Sequence, residues 1–211
     1  MPSKEKNLFQ SVNGLYSALL KQFGNSAAAV GIPRDNQSVR YESFVRRLPV
    51  TEEFSLLDYG CGLGHLARYL SDSECSQCAY TGVDINADFL RAASCDMPDE
   101  KFLGWQDFWS NDDHFDFSVC VGTFNLVYQT EREQQDFVFE ELSRLFARTR
   151  RALFANFMHD EVDFKQEHAW HQPVGAIFKF ASSELSRYVE VDATYLPYEY
   201  TLIVHRGNPH H

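Results

Sequence analysis

Apolar residues recur at intervals of three and four between Asn7 and Phe23, where Leu8, Val12, Leu15, Leu19 and Phe23 form one stripe. That spacing predicts an amphipathic helix, stopped by Gly24. Pro33 and Asp35 announce a second helix through residues 36–48, with Val39, Phe44, Val45 and Leu48 apolar and Pro49 closing it. From residue 54 the period changes. Short apolar runs at Phe54–Tyr59, Ala79–Val83, Lys101–Gly104, Phe115–Val121 and Arg151–Phe157 alternate with helical stretches at Gly64–Leu70, Ala87–Ala93 and Glu131–Ala147. That alternation is the order of a parallel sheet with crossover helices. The last helix is the best signalled: Thr130 and Glu133 form a capping box, Val138, Leu142, Leu145 and Phe146 form a stripe, and Arg144, Arg148 and Arg150 gather at its negative end. After a short helix at Val174–Ala181, the runs Tyr188–Tyr195 and Tyr198–Val204 lie too close in sequence to pair other than as an antiparallel hairpin.

Composition narrows the partners more than the fold. The 211 residues are 44% hydrophobic and 15% aromatic, ample for one sizeable core. With 19 basic and 30 acidic side chains the net charge is 19 − 30 = −11, which repels phosphate backbones and makes nucleic acid a disfavoured partner. No run approaches the roughly 18 apolar residues that span a bilayer. Gln, Asn and Gly also interrupt the first 20 residues where a signal peptide needs an apolar block, so a cytoplasmic location and no membrane contact are expected. The odd count of five cysteines fits reduced thiols. Cys75 and Cys78 have the spacing of half a zinc site without its second half, and His168 and His171 form a lone HxxH, so no metal is expected.

The chemistry concentrates at the ends of the strand runs. Residues 54–59 end in Asp58-Tyr59, and Gly60-Cys61-Gly62-Leu63-Gly64 then opens directly onto a helix beginning at His65. Glycines at that junction let backbone approach a ligand closely, which implies a nucleotide-like cofactor. A dinucleotide fingerprint would want its third glycine where His65 stands, which counts against a pyrophosphate ligand. The next strand ends in Asp84, placed to accept from vicinal ribose hydroxyls, although Asp is also a favoured helix cap. Trp105-Gln106-Asp107-Phe108 follows the third strand, where Asp107 could accept from an adenine amine. Gly122-Thr123-Phe124-Asn125-Leu126 follows the fourth, at the rim where open α/β sheets bind ligands.

These four segments, in this order and spacing, resemble the class I S-adenosylmethionine-dependent methyltransferases, of the small, uncharacterised bacterial type, over roughly residues 40–206. LLDYGCGLG looks like the family's first motif, VDI with Asp84 and Ile85 its second, Gln106-Asp107 its third and FDFSVCVGTFNL its fourth. The resemblance implies an α/β, Rossmann-like three-layer sandwich, with a mostly parallel seven-stranded sheet, an antiparallel C-terminal hairpin and an N-terminal helical lid. One domain is expected over 1–211, residues 1–50 forming the lid and 51–206 the core. It also implies S-adenosylmethionine as cofactor. Gly60, Cys61, Gly62 and Gly64 would lie along its methionine part, Asp58 would hold its amino group, Asp84 and Ile85 its ribose, and Gln106, Asp107 and Phe108 its adenine, with Gly122 at the fourth strand. Arg40, in a run that resembles the helix placed over the cofactor, would pair with its carboxylate.

Methyl transfer is an in-line displacement, so alignment and exclusion of water matter more than a base. If a proton must be taken, His65 and His159 are the imidazoles best placed by chain position. Asn125, Tyr128, Tyr198 and Tyr200 are expected to shape the acceptor pocket. The fourth motif reads Thr-Phe-Asn-Leu where an amino-directed DNA methyltransferase resembles Asp/Asn-Pro-Pro-Tyr. A small-molecule O- or N-acceptor is therefore expected, taken by a monomer or homodimer. Two other readings compete: a cofactor-binding partner protein without turnover, and an NAD(P)-dependent oxidoreductase, whose Tyr-x-x-x-Lys pair does not occur in the chain.

Overall fold

The computed structural model describes residues 3–31, 34–75, 77–127, 130–165 and 169–209, the side chains of 3–11, 34 and 35 excepted. Two helices, α1 (Ser3–Phe23) and α2 (Arg34–Val45), precede the sheet, with a 3-10 turn at Ala27–Val30 between them. The signals read at Pro33 and in the Leu8 and Asp35 side chains lie outside the described residues. Then follow β1 (Phe54–Tyr59), α3 (His65–Ser71), β2 (Cys78–Asp84), α4 (Ala87–Asp96), β3 (Lys101–Gly104), α5 (Trp105–Ser110), β4 (Phe115–Cys120), α6 (Glu131–Ala147) and β5 (Thr149–His159). The chain closes with β6 (His171–Gln172), α7 (Val174–Phe180), a π-helical turn at Ala181–Leu185, β7 (Tyr188–Asp192) and β8 (Glu199–His205).

The strand order is β3-β2-β1-β4-β5-β8-β7, parallel from β3 to β5 and antiparallel in the β5-β8-β7 hairpin. An eighth, two-residue strand corrects the expected seven. β6 pairs in parallel with Met158 and His159, on the opposite edge of β5 from β8. Two residues are too few for a periodic signal. The helix α5 was also not expected, although Trp105, Phe108 and Trp109 lie at helical spacing on one face.

Helices cover both faces, which is why β1 and β4 are buried at every position but one. One core, with Leu57, Val83, Phe108, Val138, Leu142 and Leu153, lies under α5, α6 and α7. The other, with Phe44, Leu56, Leu66, Leu70, Phe117 and Phe154, lies under α2 and α3. A third, smaller cluster of Ala29, Leu63 and Phe89 joins the N-terminal segment to the turn after β1 and to α4, with Tyr16, Leu20 and Val30 packed on it. Boundaries moved where side chains compete with the ladder. β7 stops at Asp192 because its Oδ1 accepts from the backbone N–H and hydroxyl of Thr194. The capping box of α6 forms as its residues predict, while Arg206 of the C-terminal strand region donates to the Phe146 and Thr149 carbonyls at the other end.

Candidate active site

The turn after β1 is held by backbone. The N–H groups of Gly60 and Cys61 both donate to the Val83 carbonyl, at 2.7 and 3.0 Å, folding the turn over the end of β2. Gly60 has φ 83°, and a Cβ there would lie 2.5 Å from Thr123 Oγ1. That hydroxyl instead donates to the Tyr59 carbonyl at 2.6 Å, tying the loop after β4 to the glycine turn. Only glycine permits both the left-handed backbone and the close approach.

Asp84 is pre-set by the same turn. Its Oδ2 accepts the Gly62 N–H at 2.9 Å and its Oδ1 accepts the Asn86 N–H at 2.8 Å. A carboxylate offers about four acceptor positions, so these bonds leave it able to accept from a ligand. The helix cap that Asp84 might have supplied comes from Asn86, whose Oδ1 accepts from Asp88 and Phe89. Burial raises the Asp84 carboxyl above its ordinary value, opposed by the backbone N–H groups of Asn86, Gly62 and Ile85.

Asp58 lies deeper, 3% exposed, and accepts the Tyr80 hydroxyl at 2.7 Å. Burial pushes its carboxyl up to about 7, the Tyr80 hydrogen bond pulls down, and the Asp84 charge pushes up. The folded chain thus holds this proton to about pH 7, while the unfolded chain releases it near 3.8. Stability is therefore expected to fall as pH rises between those values, by about 1.4 kcal/mol per pKa unit of separation. Urea titrations from pH 4 to 7.5 check this: Asp58→Asn should remove the Asp58 part of the slope, leaving the raised carboxyls of Asp84, Glu100 and Glu141 against the lowered groups Asp88, Asp116, Asp192 and His65, and an Asp58→Asn variant with the native slope would refute it.

The N-terminal helices close over these groups. Asn86 Nδ2 donates to the Asn13 carbonyl and to Ser17 Oγ, both at 3.2 Å, and Ser17 in turn donates to Asp88 at 2.8 Å. The Tyr16 and Phe89 rings meet at 5.6 Å. Val30 Cγ1 would stand 3.1 Å from a Cβ at Gly62. His65, where a dinucleotide site would have glycine, is part of this closure. Its Nδ1 meets Gln37 Nε2 at 3.0 Å and its Nε2 meets Asn25 Oδ1 at 2.9 Å. That pairing requires the neutral imidazole with Nε2 protonated, and burial and Arg68 lower its pKa below the ordinary 6.5. Both ring nitrogens of His65, expected as a general base, are thus engaged by Gln37 and Asn25 of the N-terminal segment.

A buried polar chain crosses from the lid to the ends of the central strands. Arg40 donates from Nε to Glu199 Oε2 at 2.7 Å and from Nη2 to Oε1 at 2.5 Å. Glu199 also accepts from Asn156 Nδ2 at 2.9 Å, and Asn156 Oδ1 accepts from Asn125 Nδ2 at 3.3 Å. Asn156 reaches the Tyr195 hydroxyl at 2.8 Å, which meets Thr201 Oγ1 at 3.0 Å, itself 3.1 Å from Ser43 Oγ. The guanidinium of Arg40 thus faces Glu199, a carboxylate of the chain, in place of the ligand carboxylate expected. Asn125 is held by protein at both ends of its amide, its Oδ1 taking the Met158 N–H at 3.3 Å. His159 Nδ1 lies 2.9 Å from the Glu161 N–H and 3.4 Å from Asp160 Oδ1, so that nitrogen is also engaged by the protein. Tyr200, expected in the pocket wall, is fully buried in the core with its hydroxyl on the Gln172 carbonyl. Tyr198 is 45% exposed, and Tyr128 lies outside the described residues, as does His168 of the HxxH pair.

On the far side, Gln106 and Asp107 are exposed on α5, and Ile85 and Gly122 are half-buried at their strand ends. Phe108 is 0% exposed. Its ring packs against Tyr59, Trp109 and Phe115, so only its backbone is left to face a ligand, a correction to its expected contact. Trp105 and Trp109 donate their indole N–H groups to the Tyr59 hydroxyl, which donates to the buried Glu141. Asn156, Glu199 and Glu141 were not anticipated. Each left a signal, a single amide or acid within an otherwise apolar strand or stripe, of the kind that must find a partner when buried.

Comparison with known proteins agrees with this geometry. Residues 57–154 match a methyltransferase domain. A Mycobacterium tuberculosis protein named as a methyltransferase is 25% identical over 167 residues, covering 78% of this chain and all of that protein. The cyclopropane-fatty-acyl-phospholipid synthase of Escherichia coli is 31% identical over 121 residues, 54% of this chain, which spans only 31% of the synthase. The magnesium protoporphyrin IX methyltransferase of Synechocystis PCC 6803, solved with bound S-adenosylmethionine, superimposes with a TM-score of 0.67 at 16% identity, over 98% of this chain and 99% of that one. That last likeness is one of fold. By its sequence from 57 to 154 the chain carries a methyltransferase domain, and its fold is that of S-adenosylmethionine-dependent methyltransferases.

Proposed function

We propose that the chain methylates an oxygen or nitrogen of a small molecule, with the cofactor lying across the carboxyl ends of β1 to β4. In this reading Asp84 accepts from the ribose hydroxyls beside Ile85, the backbone of Gly60, Cys61, Gly62 and Gly64 runs along the methionine part, and Asp58 meets its ammonium. Gln106, Asp107 and the backbone at Phe108 take the adenine, and Gly122 leaves room at the fourth strand. The observation that carries the reading is Asp84, whose carboxylate is fixed at the end of β2 by the Gly62 and Asn86 backbone N–H groups at 2.9 and 2.8 Å.

When bound, S-adenosylmethionine supplies a sulfonium methyl group open to in-line attack. The chain's part is to align the acceptor and exclude water. Its lid does the second, with Val30 over Gly62, Asn13 and Ser17 on Asn86, and Asn25 and Gln37 on His65. The relay from Asn125 through Asn156 to Glu199 fixes the rim where the acceptor arrives. With Nδ1 of His65 and of His159 engaged by the protein, an amine acceptor attacks as the free base and its product leaves as the ammonium, which loses the extra proton to solvent, while a hydroxyl acceptor has to arrive already ionised, as a phenolate does. A covered site suits a small acceptor, and a net charge of −11 opposes a polyanion.

A thermal-shift titration tests the cofactor side. S-adenosylmethionine and S-adenosylhomocysteine at about 100 times their dissociation constants should add roughly 2.7 kcal/mol, a rise of about 5–11 °C for a chain this size, while NAD and NADP should add nothing. Release of S-adenosylhomocysteine across panels of small hydroxyl and amine compounds, RNA, and phospholipid vesicles tests the acceptor side. Turnover on RNA or lipid alone would refute the small-molecule assignment.

A further inference from the structure

One buried acceptor on the lid has no partner. Asn13 Oδ1 is closed off from solvent and receives no hydrogen bond among the described residues. Native chains keep few such groups, and each one calls for an explanation. The position of this one is specific. The Asn13 carbonyl accepts from Asn86 Nδ2 at 3.2 Å, and the Asn86 backbone N–H is the group that holds Asp84 Oδ1 at 2.8 Å. Asn13 and Asp84 therefore both bind Asn86, one through its side-chain amide and the other through its backbone N–H.

Its neighbours on α1 point the same way. Tyr16, three residues on, packs against Phe89, and Ser17 takes the second hydrogen of Asn86 Nδ2. The Tyr16 hydroxyl is pushed up to about 12 by burial and by the Asp84 charge, so it too stands within reach of that carboxylate's field. The face Asn13–Tyr16–Ser17 is thus the surface by which α1 meets Asn86 and Phe89, next to Asp84 in the chain.

We propose that Asn13 Oδ1 accepts a hydrogen bond from a ribose hydroxyl of the bound cofactor, making the lid helix part of the cofactor site. A vicinal diol carries two donors. Asp84, each of whose oxygens already holds a backbone N–H, accepts one or both, and a hydroxyl turned toward the lid satisfies the orphaned amide oxygen. Cofactor binding and closure of α1 then become a single event, because the closed lid without cofactor leaves an acceptor unmade. The inference rests on the cofactor reading of Asp84.

The test is a chemical double-mutant cycle read by isothermal titration on the full chain. Asn13→Leu keeps the volume and removes the polar atom. It is expected to leave the ligand-free melting temperature unchanged or higher, and to weaken S-adenosylhomocysteine binding about tenfold. S-adenosylhomocysteine analogues lacking the 2′- or 3′-hydroxyl should bind the native chain more weakly, and one of them should lose nothing further in Asn13→Leu. Asn13→Ala repeats the cycle should the leucine disturb packing. Native affinity in both variants, or losses that simply multiply for both analogues, would overturn the inference alone. Failure of the native chain to bind S-adenosylhomocysteine at all would overturn the Asp84 reading and this one with it.

Discussion

Asp84→Asn is expected to weaken S-adenosylmethionine and S-adenosylhomocysteine binding by about 100-fold, measured by isothermal titration on the folded variant. Hydrogen bonds to a charged acceptor contribute about 1.5–3 kcal/mol each, and a ribose diol can make two of them. The amide keeps the shape but loses the charge, and one of its two ends becomes a donor. That end faces the N–H of Gly62 or Asn86, which the native carboxylate accepts at 2.9 and 2.8 Å. Asp84→Ala should lose as much affinity and also stability, since two backbone donors are left without their partner at about 1–3 kcal/mol apiece where they remain buried. The asparagine variant separates the two effects. Near-native affinity in Asp84→Asn would remove Asp84 from the cofactor site.

The largest effect on stability is expected at Arg40 and Glu199. Their side chains are 9% and 7% exposed, and the pair is joined by two hydrogen bonds. Removing either partner alone leaves a buried charge uncompensated, which costs about 3–5 kcal/mol. For a chain of this length that is a fall in melting temperature of roughly 6–20 °C. Replacing both by apolar residues of similar volume, as in Arg40→Met with Glu199→Leu, should recover most of the loss, because a buried ion pair contributes little net stability against a well-packed apolar substitute. Urea unfolding of the two single variants and the double variant gives the coupling directly. Single variants within 1 kcal/mol of native would show that the pair is solvated after all. Turnover should not recover in the double variant, since Asn156, and through it Asn125, loses the Glu199 oxygen that orients it.

Much of the fold was legible before any coordinates. The strand runs from Phe54 to Phe157 and the closing hairpin all formed, because continuous apolar runs between helical stretches have few other ways to bury both faces. Thr130 and Glu133 capped α6 as their spacing requires. The site was legible in its backbone half. Alternating glycines between Asp58 and His65 announce a turn that only backbone can fill, and Gly60 against Thr123 bears that out. Its side-chain half was not. Arg40, His65 and Asn125 are residue types that serve equally as ligand contacts or as partners for other buried polar groups. Which role each takes depends on Glu199, Gln37 and Asn156, residues 159, 28 and 31 positions away. Phe108 is a similar case, since an aromatic beside an adenine-binding acid can face the ligand or the core, and α5 turns it inward.

The order of elements, the parallel sheet with its reversed edge and the glycine turn with an acid at the end of each flanking strand follow from local rules that short stretches of chain obey on their own. The eighth strand, the lid's grip on the Asp84 turn through Asn13 and Ser17, and the polar relay from Arg40 to Asn125 were decided only by tertiary structure. Each of these joins groups far apart in the chain, and a buried polar group takes whichever partner the packed fold brings within about 3 Å, a distance that no periodicity encodes.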